Sequence, residues 1–144
     1  MAVRIFHWLS RAFLAGLFLY SGWVKVRSPL QFAAAISGYQ IVPTRLILPL
    51  ADYLPWVEIA LGVLLLAGWK LRWVAAGAAA LLGVFTAVQT LTYLRGIEAD
   101  CGCFGFGERI SPMTIARDGV LLVLALFLAL QRSPAPPTAS SSLK

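Results

Sequence analysis

The chain has 144 residues, of which 60% are hydrophobic and 12% charged, with a net charge of +6 and a mean hydropathy of +0.81. Soluble domains are about half apolar and about a quarter charged, so a water-soluble globule is excluded, and with it the nucleic-acid binding that twelve basic residues against six acidic ones would otherwise suggest. The charges flank apolar runs, as orientation signals and contacts to anionic lipid do. A span needs about 20 residues, so this length holds one domain of four. The sequence therefore predicts an all-α fold: a four-helix transmembrane bundle with a short surface helix between helices 1 and 2.

The first run, Ile5 to Val24, is apolar, small or aromatic except at His7, Ser10, Arg11 and Ser21. Its internal charge and its lack of a small-residue cleavage site predict a retained span rather than a signal peptide. Arg4, His7 and Arg11 share one helical stripe and are expected to snorkel to headgroups. Residues 25–45, with Pro29, Gly38, Tyr39 and Pro43, are too broken to span, but Leu30–Ile36 suits a short helix lying over the bundle.

The second span, Leu46–Trp69, carries Pro49, Asp52, Pro55 and Glu58 in its first half, which predicts an early kink. Lys70–Arg72, between Trp69 and Trp73, reads as a tight interfacial turn. The third span, Trp73–Leu94, has no charge and is rich in the alanine and glycine that let helices approach closely in lipid. Residues 95–110 hold both cysteines and form the chemical loop. Ser111-Pro112 is a cap and first-turn pair opening the fourth span, 113–131. Residues 133–144 are Pro/Ser-rich and are expected to be disordered.

Four spans put both termini on the side of the 70–72 turn and the cysteine loop on the other. Basic residues divide six to six, so positive-inside counting does not orient the chain. All six acids lie on the cysteine side or in the half-span nearest it, which favours cytoplasmic termini and an outward cysteine loop, where a disulfide persists.

Cys101-Gly102-Cys103 is the only cysteine pair. A disulfide across one intervening residue removes little unfolded-state entropy, so it suits a labile redox pair better than a staple; an idle reduced pair is the plain alternative. Metal is not assigned, because two thiolates without a nearby histidine fall short of a four-ligand zinc site, although a two-coordinate Cu(I) ion stays open. Either Arg95 or Arg109 is expected to lower a thiol pKa, opposed by Glu98 and Asp100. A carboxylate near mid-span, as at Glu58, demands a partner, and Lys25 and Arg117 enter from the same side. That pair serves either packing or function, whereas Asp52 is expected to be solvated. Trp8, Trp23, Trp69 and Trp73 suit an aromatic belt, and Trp56, beside Glu58, suits a pocket wall. No phosphate loop, Ser/His/Asp set or metal-binding His/Glu helix is present in the sequence.

Together Gly22-x-x-Lys25, Pro29-x-x-Phe32, Tyr39 with Pro43, Leu54-Pro55-x-x-Glu58 with Gly62 and Gly68, Cys101-Gly102-Cys103-Phe104-Gly105 and Arg117-Asp118 make a set. It resembles the MauE/DoxX-like family of redox-associated membrane proteins, from helix 1 to helix 4. The resemblance implies a four-helix transmembrane bundle and a thiol–disulfide role with periplasmic cysteines, since members named for methylamine utilisation are linked to maturation of a disulfide-rich periplasmic dehydrogenase subunit. Cys101 and Cys103 would then be catalytic and Gly102, Phe104, Gly105, Lys25, Glu58 and Arg117 supporting. The expected partner is a periplasmic thioredoxin-like or cysteine-rich client, in an inner-membrane setting. By architectural analogy with bundle-type disulfide oxidases, a membrane quinone is the candidate electron acceptor, walled by Tyr39, Trp56 and Phe85. Two other classes compete: a non-catalytic subunit for assembly of a periplasmic enzyme, and a soft-metal or sulfur carrier.

Overall fold

A computed structural model describes residues 1–131. Five helices follow in chain order: α1 (Ala2–Arg27), α2 (Pro29–Gly38), α3 (Thr44–Ala67), α4 (Leu71–Leu94) and α5 (Pro112–Leu130). All but α2 are long and apolar enough to cross a membrane. The stretch 133–144, expected to be disordered, lies outside the described residues.

Two tight helix pairs, α1/α3 and α4/α5, pack together into the bundle. The buried positions of α4 (Leu71, Val74, Ala75, Ala78, Ala79, Leu82, Gln89, Thr92) recur at spacings of three, four or seven residues, so one stripe faces the interior. Leu14, Phe18, Leu65, Val74, Leu121 and Leu128 meet in the main core. Trp8, Trp23, Trp69 and Trp73 are all exposed on the outside of the bundle, as are Val63, Val84 and Val123. In a bundle bathed in hydrocarbon this is where large apolar side chains belong.

Glycine sets how close α1 and α3 come. A Cβ on Gly22 would lie 2.8 Å from the Pro55 carbonyl oxygen and 2.6 Å from Ile59 Cγ1, and one on Gly62 would lie 3.1 Å from the Ala15 carbonyl oxygen. Both helices thus approach at backbone distance around the turn that carries Glu58. The helix α3 is continuous through Pro49 and Pro55, so neither proline interrupts it as a break would. Gly22→Ala is expected to destabilise the bundle by about 1–3 kcal/mol through this overpacking, checked by denaturant unfolding in detergent; a Tm equal to that of the parent would show that the helices separate freely.

Arg11 does not act as the free, snorkelling anchor that its spacing suggests. Its Nε donates to the Leu65 carbonyl at 2.6 Å and its Nη2 to Leu66, with Trp8 stacked 4.5 Å away. It caps the carboxyl end of α3, where Gly68 turns the chain at φ +74°, and a cation there also meets the negative end of the helix dipole. Its neighbour on the same stripe, His7, pairs with Gln131 at 2.7 Å.

At the opposite end α2 lies against the bundle. Phe32, Ala33 and Ile36 pack with Ala51 of α3 in a second, smaller core. The loop after α4 closes as a short hairpin: Cys101 N–H donates to the Glu108 carbonyl at 2.7 Å, Ile110 N–H to that of Ala99 at 3.0 Å, and Asp100 bridges Arg109. The start of α5 is fixed by a capping box, in which Ser111 Oγ accepts from Thr114 N–H and Ser111 N–H donates to Thr114 Oγ1, with Pro112 in the first turn. That cap places Arg117 and Asp118 beside the hairpin.

Candidate functional site: a buried cysteine pair

The hairpin does not hang free over the bundle; it folds its cysteines inward. Cys101 and Cys103 are 1% and 6% exposed, and both are free thiols. An exposed, strained disulfide, the form that spacing alone suggests, is thus not the state of this structure. Gly102 makes the inward turn possible. Its φ is +65°, a left-handed conformation that side chains resist, and a Cβ there would press on Ala35 at 3.1 Å. The roof helix α2 therefore covers the pair directly.

Two hydroxyls pin the loop's backbone. Tyr39 Oη donates to the Cys101 carbonyl, and Ser21 Oγ, on α1, reaches both the Cys103 carbonyl and, at 3.1 Å, Glu58 Oε2. Burial holds the Tyr39 pKa well above the ordinary phenol value, so the group stays a donor. Tyr39, expected as a wall of a quinone pocket, is seen here clamping the cysteine loop.

Below the loop lies the buried ion pair. Lys25 Nζ is 2.6 Å from Glu58 Oε1, with the two side chains 2% and 3% exposed. The ammonium also sits 4.8 Å from the Phe32 ring and 4.9 Å from the Phe85 ring, faces that attract a cation. Of the two cations expected to answer Glu58, the structure selects Lys25.

Arg117 serves the cysteines. Its Nη2 lies 3.8 Å from Cys101 Sγ, its Nε 3.3 Å from Asp118 Oδ1 and its Nη1 3.1 Å from Glu108, with the guanidinium 4.9 Å over the Phe104 ring. The cations expected near the thiols are elsewhere: Arg109 pairs with Glu98 at 3.2 Å on the surface, and Arg95 points to the Gln40 carbonyl. Gly105, at the loop tip, has open space around it.

Two residues that sequence reasoning did not assign to the site stand at its centre. Asp118, 1% exposed, offers a carboxylate oxygen within 4.8 Å of both thiol sulfurs. Gln89, fully buried on α4, donates from Nε2 to Cys103 Sγ at 2.8 Å and to Asp118 Oδ2 at 2.6 Å, while its Oε1 has no partner. A polar amide inside an otherwise uncharged span was the available signal for Gln89, and Asp118 was visible only as the neighbour of Arg117.

The two thiols are unequal. A hydrogen bond from the Cys103 thiol holds the Cys101 pKa below the ordinary thiol value against the cost of burial, and Arg117 adds to the lowering. Cys103, the donor in that contact and deeply buried, is raised well above it. Cys101 is therefore the more acidic thiol of the pair.

A cavity of about 20 Å³ opens next to Cys103, lined among others by Ser21, Lys25, Glu58, Phe85, Phe104 and Asp118. That is room for a single water. Phe85 lines it, Tyr39 does not, and Trp56 is 60% exposed on the outer face of α3. Of the three residues expected to wall a quinone, only Phe85 lines this cavity.

The family model described as "Methylamine utilisation protein MauE" matches residues 3–131. The chain belongs to the MauE family. Among curated relatives, the "Methylamine utilization protein MauE" of Paracoccus denitrificans is 36% identical over 125 residues, 85% of this chain and 67% of that protein. That of Paracoccus versutus is 34% identical over 96% of this chain and 76% of its own length. That of Methylorubrum extorquens is 30% identical over 83% of this chain and 66% of its own length. No solved structure matches. The MauE match covers all five helices, and with them the cysteine hairpin, the Lys25–Glu58 pair and Asp118.

Proposed function

We propose that this MauE-family membrane protein performs thiol–disulfide exchange through Cys101 and Cys103, with its cysteine end facing the periplasm from an inner membrane. The observation that carries the reading is the inequality of two adjacent free thiols, one activated by the other and by Arg117. Starting from the dithiol, Cys101 as thiolate attacks one sulfur of a partner protein's disulfide, forming a mixed disulfide and releasing a partner thiolate. Cys103 then gives up its proton and attacks Cys101 Sγ, which releases the second partner thiolate. The pair ends as a disulfide, the partner as a dithiol, and both protons pass to the partner's sulfurs. The reverse sequence oxidises a client dithiol.

The partner is of the thioredoxin-like or cysteine-rich class. The relatives' names speak of methylamine utilisation, and we carry that setting to this chain as part of the proposal: the client is a periplasmic enzyme subunit whose disulfides must be formed or corrected. The burial of both thiols means that the hairpin and the α2 roof against it must separate for the partner to enter.

The test incubates purified protein in detergent with an oxidised thioredoxin-like protein and follows both by mass. Wild type is expected to lose two hydrogens as the partner gains two. Cys103→Ser is expected to stall as a covalent mixed disulfide and Cys101→Ser to form none. Thiols that stay reduced against every protein disulfide, with client maturation intact in the double Cys→Ser variant, would overturn the proposal and favour a non-catalytic assembly subunit.

A further inference from the structure

We propose that the cysteine pair has a second ligand: a divalent d10 ion, Zn(II), held by Cys101 Sγ, Cys103 Sγ and Asp118, with Gln89 beside the site. The spacing of the cysteines alone leaves the ion two donors short. The fold supplies one of these by setting α5 against the hairpin, so that Asp118 lies beside both sulfurs.

The geometry is close to that of a bound ion. A tetrahedral zinc, about 2.3 Å from sulfur and about 2.0 Å from oxygen, holds its ligand atoms about 3.5–3.8 Å apart. Here all three ligand atoms lie within 4.8 Å of one another, on residues that are all buried. Closure takes shifts of about 1 Å or less.

An independent observation points the same way. The Gln89 amide makes its two contacts within this cluster, to Cys103 Sγ and Asp118, yet its Oε1 is buried and has no partner among the described residues. An orphaned carbonyl oxygen is costly in a dry interior and is ordinarily met by a water or an ion. Nε2, not Oε1, faces the two ligands in this structure, so Oε1 becomes a fourth donor only if the amide turns over, and otherwise a water takes the fourth position.

Charge selects the ion. With both thiols protonated, the Asp118 carboxylate is paired with Arg117 at 3.3 Å, a cation it shares with the part-exposed Glu108, while Lys25 is taken by Glu58. Ionising both thiols would leave two uncompensated negative charges in a buried site. A divalent ion restores neutrality and a monovalent one, such as Cu(I), does not. Binding therefore exchanges one ion for two protons, with no change of oxidation state, and leaves neither sulfur free for exchange. The proposal shares the thiols with the exchange reading but not its chemistry, so each can fail alone.

The experiment titrates the full, reduced protein in detergent with Cd(II) as the spectroscopic probe, then competes the Cd(II) off with Zn(II). Wild type is expected to take up one ion per chain with a thiolate-to-metal absorption, and its affinity to rise about 100-fold per pH unit in the range where both thiols are protonated in the free protein. Asp118→Asn, nearly the same size, is expected to weaken binding at least about 10-fold while the absorption survives. A one-proton dependence, or less than one ion per chain, would overturn the site. Asp118→Asn binding equal to wild type would overturn it too, showing an adventitious ion on the dithiol only. The pH dependence is read on wild type alone, so the test stands even if the variant misfolds.

Discussion

Glu58→Ala is expected to destabilise the bundle by about 3–5 kcal/mol, because it leaves the Lys25 ammonium buried without its anion. Lys25 and Glu58 are each almost completely withdrawn from solvent and meet at 2.6 Å. Lys25→Met should cost a similar amount for the mirror reason. The double variant Lys25→Met/Glu58→Leu removes both charges and keeps most of the volume, so it should recover much of the loss, as replaced buried pairs commonly do. Unfolding in detergent micelles measures the cycle, and additive single effects would show that the two charges are not coupled. Stability is only part of the expectation. Ser21 ties Glu58 to the Cys103 carbonyl, so each single variant should also loosen the hairpin and speed alkylation of the thiols, whereas the double variant, lacking the carboxylate, should keep the fast alkylation even where stability returns.

The same pair shows what could and could not be read along the chain. The four spans were legible because hydrocarbon imposes a length and a polarity that few alternatives satisfy, and the observed ends fall within three residues of the expected ones. The helix over 30–36 was legible from Pro29 and its apolar content, although not that it would press on Gly102. Glu58 was conspicuous, since a mid-span carboxylate needs a cation, but the choice of Lys25 over Arg117 depended on how Gly22 lets α1 approach α3. The site's remaining members come from helix rotation. Gln89, Asp118, Ser21 and Tyr39 lie on four different segments, and only packing decides that their polar ends share one end of the bundle. Trp56 shows the same effect of helix rotation: it neighbours Glu58 in sequence and faces outward in space.

Because Cys101 is lowered first by the Cys103 thiol that donates to it, the residue at 103 should set the pH at which Cys101 reacts. Cys103→Ser keeps an O–H in the donor's place and Cys103→Ala removes it, and each leaves Cys101 as the only cysteine. Alkylation by a small uncharged reagent follows the thiolate. The expected result is a rate–pH profile for Cys103→Ala displaced to higher pH than that of Cys103→Ser, with alkylation at neutral pH several-fold slower. Opening of the hairpin limits access in both variants, so it cancels in the comparison unless it changes with pH, and hydrogen exchange across residues 99–110 would reveal that. Coincident profiles would assign the activation of Cys101 to Arg117, 3.8 Å away, and Arg117→Gln would then produce the displacement that Cys103→Ala did not. A displacement in the Cys103→Ala protein would show that Cys103 favours the Cys101 thiolate, a task that in the proposed exchange comes before its resolving of the mixed disulfide.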